Sequence, residues 1–175
     1  KISKTAKVLL CVGRNDPMKD HDTLIKTFKK LKKKFPSVIL LLAGLGTEKI
    51  KNVNNMITLG SRKDIEHIYS ASDIIVSSSA FGEGFSNALA EGMSSKLIPI
   101  ATKVGDAPHI LGDIGRLIKP KSIKELYRAI ADIIKLDNDS FENQKKLARI
   151  RILNNFSLNK MIASYNKLYS EIVDK

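Results

Sequence analysis

Two glutamates eight positions apart, Glu83 and Glu91, sit in the run Phe81-Gly82-Glu83-Gly84-Phe85-Ser86-Asn87-Ala88-Leu89-Ala90-Glu91-Gly92-Met93. Carboxylates are good acceptors for sugar and ribose hydroxyls. The glycines let backbone approach a ligand closely, and the free amides of a helix opening after them favour phosphate. Paired carboxylates also serve glycoside hydrolysis. On one helix, however, a rise of about 1.5 Å per residue sets these two about 12 Å apart along the axis, beyond the roughly 5 to 9.5 Å of hydrolytic pairs. Hydroxyl recognition fits the spacing better.

A second constellation lies near the start of the chain. Gly13 ends an apolar run and is followed by Arg14 and, five residues later, Lys19, with Pro17 stiffening the turn. A guanidinium can fork two oxygens while an ammonium acts as a point charge, so two cations beyond a parallel strand suit a diphosphate. His21, His67 and His109 fall outside both motifs and read as ordinary surface or loop residues. No metal-ligand cluster is visible, and no metal is expected.

Loops of this kind need a scaffold that presents them along one edge. Short apolar runs at 7–13, 38–43, 56–59, 73–77, 97–101 and 115–119 alternate with helical patterns at 24–35, 63–71 and 86–93. Continuous apolar runs between helices read as buried parallel strands. The fold class is therefore α/β, a Rossmann-like doubly wound parallel sheet of about six strands with helices on both faces. Ligands of such sheets bind beyond the carboxyl ends of the strands.

From Ser122 onward the pattern is helical. Ser122 is a cap with Glu125 at the capping-box position, and Ile123, Leu126, Ile130 and Ile133 form the stripe behind it. Phe141, Leu147, Ile150 and Ile152 predict a further helix, and Met161, Tyr165, Leu168 and Ile172 a last one from about Ser157. Residues 1–175 read as a single domain with no internal repeat or linker.

With 30 basic against 18 acidic side chains the formal charge is +12, which favours anionic partners without choosing among nucleotide, nucleic acid and acidic lipid. Lys26, Lys29, Lys30, Lys32, Lys33 and Lys34 surround the stripe Leu24, Phe28, Leu31 and Phe35, as a solvated helix face or one drawn to an anionic membrane. The single cysteine, Cys11, excludes an internal disulfide and reads as a small core residue. No apolar stretch reaches the roughly 18 to 20 residues of a membrane span, and the expectation is a cytoplasmic chain.

The run from Glu83-Gly84-Phe85-Ser86 to Glu91 resembles the two-glutamate motif of the retaining glycosyltransferases of GT-B fold, family four, or group 1. The resemblance continues in matching order through Val12-Gly13-Arg14 with Lys19, Ala43-Gly44-Leu45-Gly46, Leu59-Gly60, the stretch from Tyr69 to Asp73 and Gly115-Arg116-Leu117-Ile118, covering almost the entire chain. It implies the C-terminal, nucleotide-sugar-binding half of a GT-B enzyme of hexosyltransferase type, acting in bacterial polysaccharide or glycoconjugate synthesis without a metal or other cofactor. It implies that Arg14 and Lys19, beside Gly13, hold the donor diphosphate, and that Glu83 addresses the sugar near the reacting centre. Arg14, Lys19 and Glu83 are then the catalytic candidates.

By the same resemblance, Gly84, Phe85, Ser86 and Asn87 contact phosphate or sugar, with Leu89 also in the substrate site. Glu91 binds the ribose, and Ser61, Arg62 and Ile65 form the wall for the base. The resemblance also implies a separate N-terminal acceptor-binding domain, toward which a helix at 155–175 would pack, and a chain inactive alone. No nucleic-acid partner is expected, and peripheral contact with the inner face of the plasma membrane is. Ser86 and Asp20 stand where family members often have glycine. A nucleotide-sugar epimerase half shares the fold but matches the spaced glutamates less well. A basic nucleic-acid- or membrane-binding module without chemistry is the alternative of a different class.

Overall fold

The structure, a computed structural model, describes residues 6–173; residues 1–5 and 174–175 of the predicted single domain lie outside the described residues. The strands are β1 (Val8–Val12), β2 (Ile39–Ala43), β3 (Met56–Thr58), β4 (Ile74–Ser77), β5 (Ile98–Thr102) and β6 (Arg116–Ile118). All pairings are parallel, in the order β3-β2-β1-β4-β5-β6. The chain runs outward from β1 to β3, then returns to place β4 on the other side of β1. That reversal opens a crevice beyond the carboxyl ends of β1 and β4, where open α/β sheets hold ligands.

The helices are α1 (His21–Lys34), α2 (Ile65–Ser70), α3 (Asn87–Ser94), α4 (Ala107–Leu111), α5 (Ile123–Ile134), α6 (Asn138–Asn155) and α7 (Leu158–Val173). Alternate strand residues face opposite sides of a sheet, and this parity divides the core in two. Leu9, Cys11, Leu40 and Leu42 pack with Leu24, Phe28 and Leu31 of α1 and Leu126 and Ile130 of α5. Leu10, Leu41 and Ile75 face the other way, against Leu89 and Met93 of α3, Ile110 of α4 and Ala148 and Ile152 of α6. Strands covered on both faces cannot alternate apolar with polar, which is why they read as continuous runs.

Caps fix the helix starts. Asp20, left-handed at φ 47°, accepts from the Thr23 amide at 3.2 Å. Ser122 accepts from the Glu125 amide at 3.2 Å, while the Glu125 carboxylate takes the Lys119 amide at 2.8 Å. The capping box is therefore closed one turn further back than the sequence suggests.

Several expectations need correction. His21 is neither a surface nor a loop residue: it opens α1 and is 5% exposed, because the helix begins one turn ahead of its apolar stripe. In α6 the buried positions are Phe141, Ala148 and Ile152, and Ile150 is exposed. The last helix stands as the spacing predicts: Met161, Tyr165, Leu168 and Ile172 lie on α7, and all four are exposed. Helix α4 follows no pattern legible in the sequence. Among the described residues no helix is long and apolar enough to cross a membrane.

Candidate functional site

The loop after β1 is built by close approach of two backbones. The Gly13 amide donates to the Ala43 carbonyl at 2.8 Å, and a Cβ on Gly44 (φ +140°) would stand 2.3 Å from the Gly13 carbonyl oxygen. Only glycine fits there. The turn that follows is stapled by Asp16, which accepts from the Met18 amide at 2.9 Å and from Arg14 Nε at 3.2 Å. Those donors, the Met18 amide above all, hold the Asp16 carboxyl below the usual carboxylate range. The Arg14 side chain is 61% exposed at the crevice mouth.

Lys19 turns inward instead. Its methylenes pass over Gly13, where a Cβ would meet them at 3.1 to 3.2 Å. Lys19 Nζ donates to Glu83 Oε1 at 2.5 Å, with side chains only 19% and 10% exposed. Partial burial makes a charge-assisted contact of this kind stronger than a surface pair.

The loop after β4 holds both partners. Ser79 Oγ donates to the same Glu83 oxygen, and Ser78 Oγ donates to the Lys19 carbonyl at 2.8 Å. The Ala80 amide reaches the Met18 carbonyl at 2.8 Å, and Thr102 Oγ1 donates to the Ser79 carbonyl at 2.6 Å. On the far side Gly105 (φ +54°) lies so close that a Cβ would stand 2.2 Å from the Glu83 carbonyl oxygen. Glu83 is thereby positioned through β1, β4 and β5 together.

Glu91 lies one helix onward. Its Oε2 accepts from Tyr69 Oη at 2.9 Å, and Tyr69 Oη stands 3.3 Å from the Ala88 carbonyl. Burial first, and then the Glu91 carboxylate, push the Tyr69 hydroxyl above its ordinary range, so it stays a donor. Glu91, Tyr69 and Ile65 line one cleft of about 260 Å³. The predicted ribose ligand and part of the predicted base wall thus come together.

The other predicted residues fall into four groups. Gly84, Phe85 and Asn87 are exposed at the start of α3, and the Phe85 ring leans on Phe156 at 5.4 Å between centroids. Ser86 is the buried N-cap of α3, but its hydroxyl makes no capping bond. Ser61 and Arg62 are exposed, and Arg62 is forked onto Asp64 at 2.9 and 2.7 Å. Leu89 is fully buried in the core, so its side chain does not face the crevice: in α3 it sits on the sheet side while Glu91 faces out. Sequence reasoning passed over Ser78, Ser79, Thr102 and the Tyr69 hydroxyl; the run Ser77-Ser78-Ser79 at the end of an apolar strand was the available signal. Among the described residues no group of three or more His, Cys, Asp or Glu is placed to hold a metal ion.

Residues 1–151 match the model of the family described as glycosyl transferases group 1. An uncharacterized glycosyltransferase of Methanocaldococcus jannaschii is 30% identical over 182 residues, 96% of this chain and 46% of that protein. A glycosyltransferase from Rickettsia africae superposes with a TM-score of 0.85 at 26% identity, covering 98% of this chain and 49% of that one. The Anabaena protein HepE, solved in complex with UDP and glucose, superposes with a TM-score of 0.78 at 22% identity, again over 98% and 49%. The chain spans about half the length of these relatives. With its all-parallel six-stranded sheet and this match, the chain belongs to the group 1 glycosyl transferases and has the C-terminal-type domain of their GT-B fold.

Proposed function

We propose that this chain binds a nucleotide diphosphate sugar and presents it for retaining transfer of a hexosyl group to an acceptor. The observation that carries the reading is the meeting of the Lys19 ammonium and the Glu83 carboxylate at the crevice between β1 and β4. A cation for phosphate and an acceptor for hydroxyls, 2.5 Å apart, suit a ligand in which a diphosphate adjoins a sugar.

In this reading Arg14 and Lys19 stabilise the negative charge that grows on the leaving diphosphate as the glycosidic bond breaks, without a divalent metal. Glu83 accepts from a hydroxyl of the transferring sugar. The exposed start of α3 offers backbone amides to phosphate or sugar. Glu91, oriented by Tyr69, accepts from the ribose, and Ser61, Arg62 and Ile65 flank the base. Arg62 must then exchange Asp64 for the ligand or stay outside the site. The UDP and glucose held by the Anabaena relative support a ligand of this class.

The acceptor is assigned to a second, N-terminal domain, so the chain transfers no sugar alone. Polysaccharide or glycoconjugate synthesis in a bacterium, at the cytoplasmic face of the membrane, is the setting that the family resemblance suggests. Thermal unfolding against a panel of nucleoside diphosphates and nucleotide sugars tests the reading, because a ligand of the folded state alone raises stability. A panel that leaves the midpoint unmoved at saturating ligand contradicts it.

A further inference from the structure

Helices α1 and α5 pack side by side on one face of the sheet, and cations crowd their outer flank. Helix α1 carries exposed Lys26, Lys29, Lys30, Lys33 and Lys34, with Asp22 as its one acid. Beside it α5 presents Lys124 and Arg128, both exposed. Among the described residues none of these cations joins an ion pair.

This arrangement works against the helices that carry it. Lys26 and Lys30, Lys29 and Lys33, Lys30 and Lys34, and Lys124 and Arg128 each stand four residues apart, and like charges at that spacing destabilise a helix. Lys124 also falls in the first turn of α5, where the helix dipole favours an acid. The dipole accounts for Lys33 and Lys34 in the last turn of α1, but not for Lys26, Lys29 and Lys30 before it. A counter-charge from outside the chain relieves the repulsion.

Between the two helices lies a cleft of about 550 Å³, lined by Lys30, Lys124 and Arg128 together with Ile123 and Tyr127. No acid lines it. Tyr127 is half-buried and packs against the core beneath α5, so its ring is not free to stack a nucleic-acid base. An apolar floor under a cationic rim suits an amphiphile with an anionic head, and cations spread over two adjacent helices suit a plane of phosphates.

We propose that the flank of α1 and α5 docks the chain onto an anionic lipid bilayer, with a lipid phosphate seated in the cleft among Lys30, Lys124 and Arg128. Basic clusters of this size are drawn to anionic leaflets. The docking face is built from helix flanks and the donor crevice from strand ends, so a docked chain keeps its crevice free. The inference gives the membrane setting of the reading above a surface, and it stands or falls without the donor site.

The test is co-sedimentation of the full 175-residue chain with vesicles of phosphatidylcholine alone, and of phosphatidylcholine and phosphatidylglycerol in equal parts. At about 0.15 M salt, charges more than about 8 Å away are largely screened. The chain is expected to bind the mixed vesicles and to leave the zwitterionic ones. Lys30→Glu with Arg128→Glu should weaken binding about twentyfold or more, since each cation near an anionic surface contributes roughly a factor of five. Lys96→Glu with Lys146→Glu makes the same change in net charge on the opposite side of the sheet, and should weaken binding no more than about threefold. All the substituted positions are exposed, and parent-like circular dichroism checks the fold. UDP affinity, read by calorimetry, should be the same in both variants as in the parent. Equal binding to the two vesicle types, or equal losses in the two variants, overturn the surface. So does release from the vesicles by inorganic phosphate at constant ionic strength, which assigns the cleft to a small anion, or by a short DNA duplex, which assigns the flank to nucleic acid. A chain that binds the mixed vesicles through this flank but ignores UDP keeps the surface and contradicts the donor reading instead.

Discussion

Lys19 and Glu83, 64 positions apart in sequence, are joined Nζ to Oε1 at 2.5 Å. A diphosphate that takes Lys19 must draw it from this carboxylate, and a sugar hydroxyl that takes Glu83 must share it with Lys19 and Ser79. The pair is therefore a switchable contact between the two halves of the proposed ligand.

Glu83→Gln removes the carboxylate charge and releases Lys19. Binding of UDP is expected to hold steady or tighten, while a nucleotide sugar recognised by the parent loses about 1 kcal/mol or more for the missing charged hydrogen bond. Calorimetry with both ligands reads the difference. Equal losses for the two would assign Glu83 to shaping the turn rather than to the sugar.

Ser79 and Thr102 make a prediction about support. Thr102 is buried and its hydroxyl donates to the Ser79 carbonyl at 2.6 Å. Thr102→Val leaves that carbonyl without its side-chain donor, and a stability loss of about 1 to 3 kcal/mol is expected in chemical denaturation. Ser79→Ala should act on Glu83 instead, weakening nucleotide sugar more than UDP. Equal effects on both ligands would show that Ser79 serves the loop alone.

Tyr69→Phe tests the ribose end. The Glu91 carboxylate loses its 2.9 Å donor while the ring's packing is kept. UDP and nucleotide sugar should weaken alike, by about three- to tenfold, because both carry the ribose and one hydrogen bond is worth about 0.5 to 1.5 kcal/mol. A selective loss of either ligand contradicts the placement of Glu91.

Alkaline pH bears on the core. Burial pushes the Cys11 thiol up to about 12, whereas in the unfolded chain it titrates near about 8.5. Folding thus penalises the thiolate, so the contribution is complete below about pH 8.5 and is lost as pH rises toward about 12. Tyr69, also raised, adds to the loss in the same direction once the unfolded phenol titrates. Denaturation at rising pH should show Cys11→Val less sensitive than the parent above pH 9 or so. Identical slopes would place the loss elsewhere.

The six strands were legible because burial on both faces leaves near-continuous apolar runs: the run at 38–43 became Ile39–Ala43, and that at 73–77 became Ile74–Ser77. Helix α4 was not, since five residues containing Pro108 make too short a period. His21 was misplaced because Asp20 caps α1 from a left-handed conformation that non-glycine residues seldom adopt. At the site, the residue types of Lys19, Glu83 and Glu91 announced themselves, but their partners did not. Ser79, Thr102 and Tyr69 act through side-chain geometry that only the packed loops define. Leu89 stands inside the motif that the resemblance assigns to the substrate, but helix periodicity turns its side chain onto the sheet.

The central claim is that Arg14 and Lys19 bind the donor diphosphate, and calorimetry of UDP against the parent chain and the folded double variant Arg14→Ala, Lys19→Ala tests it most directly. Charge-assisted hydrogen bonds contribute about 1.5 to 3 kcal/mol each, so affinity should fall by more than about tenfold. Unchanged affinity in a double variant with the parent's circular dichroism would contradict the claim.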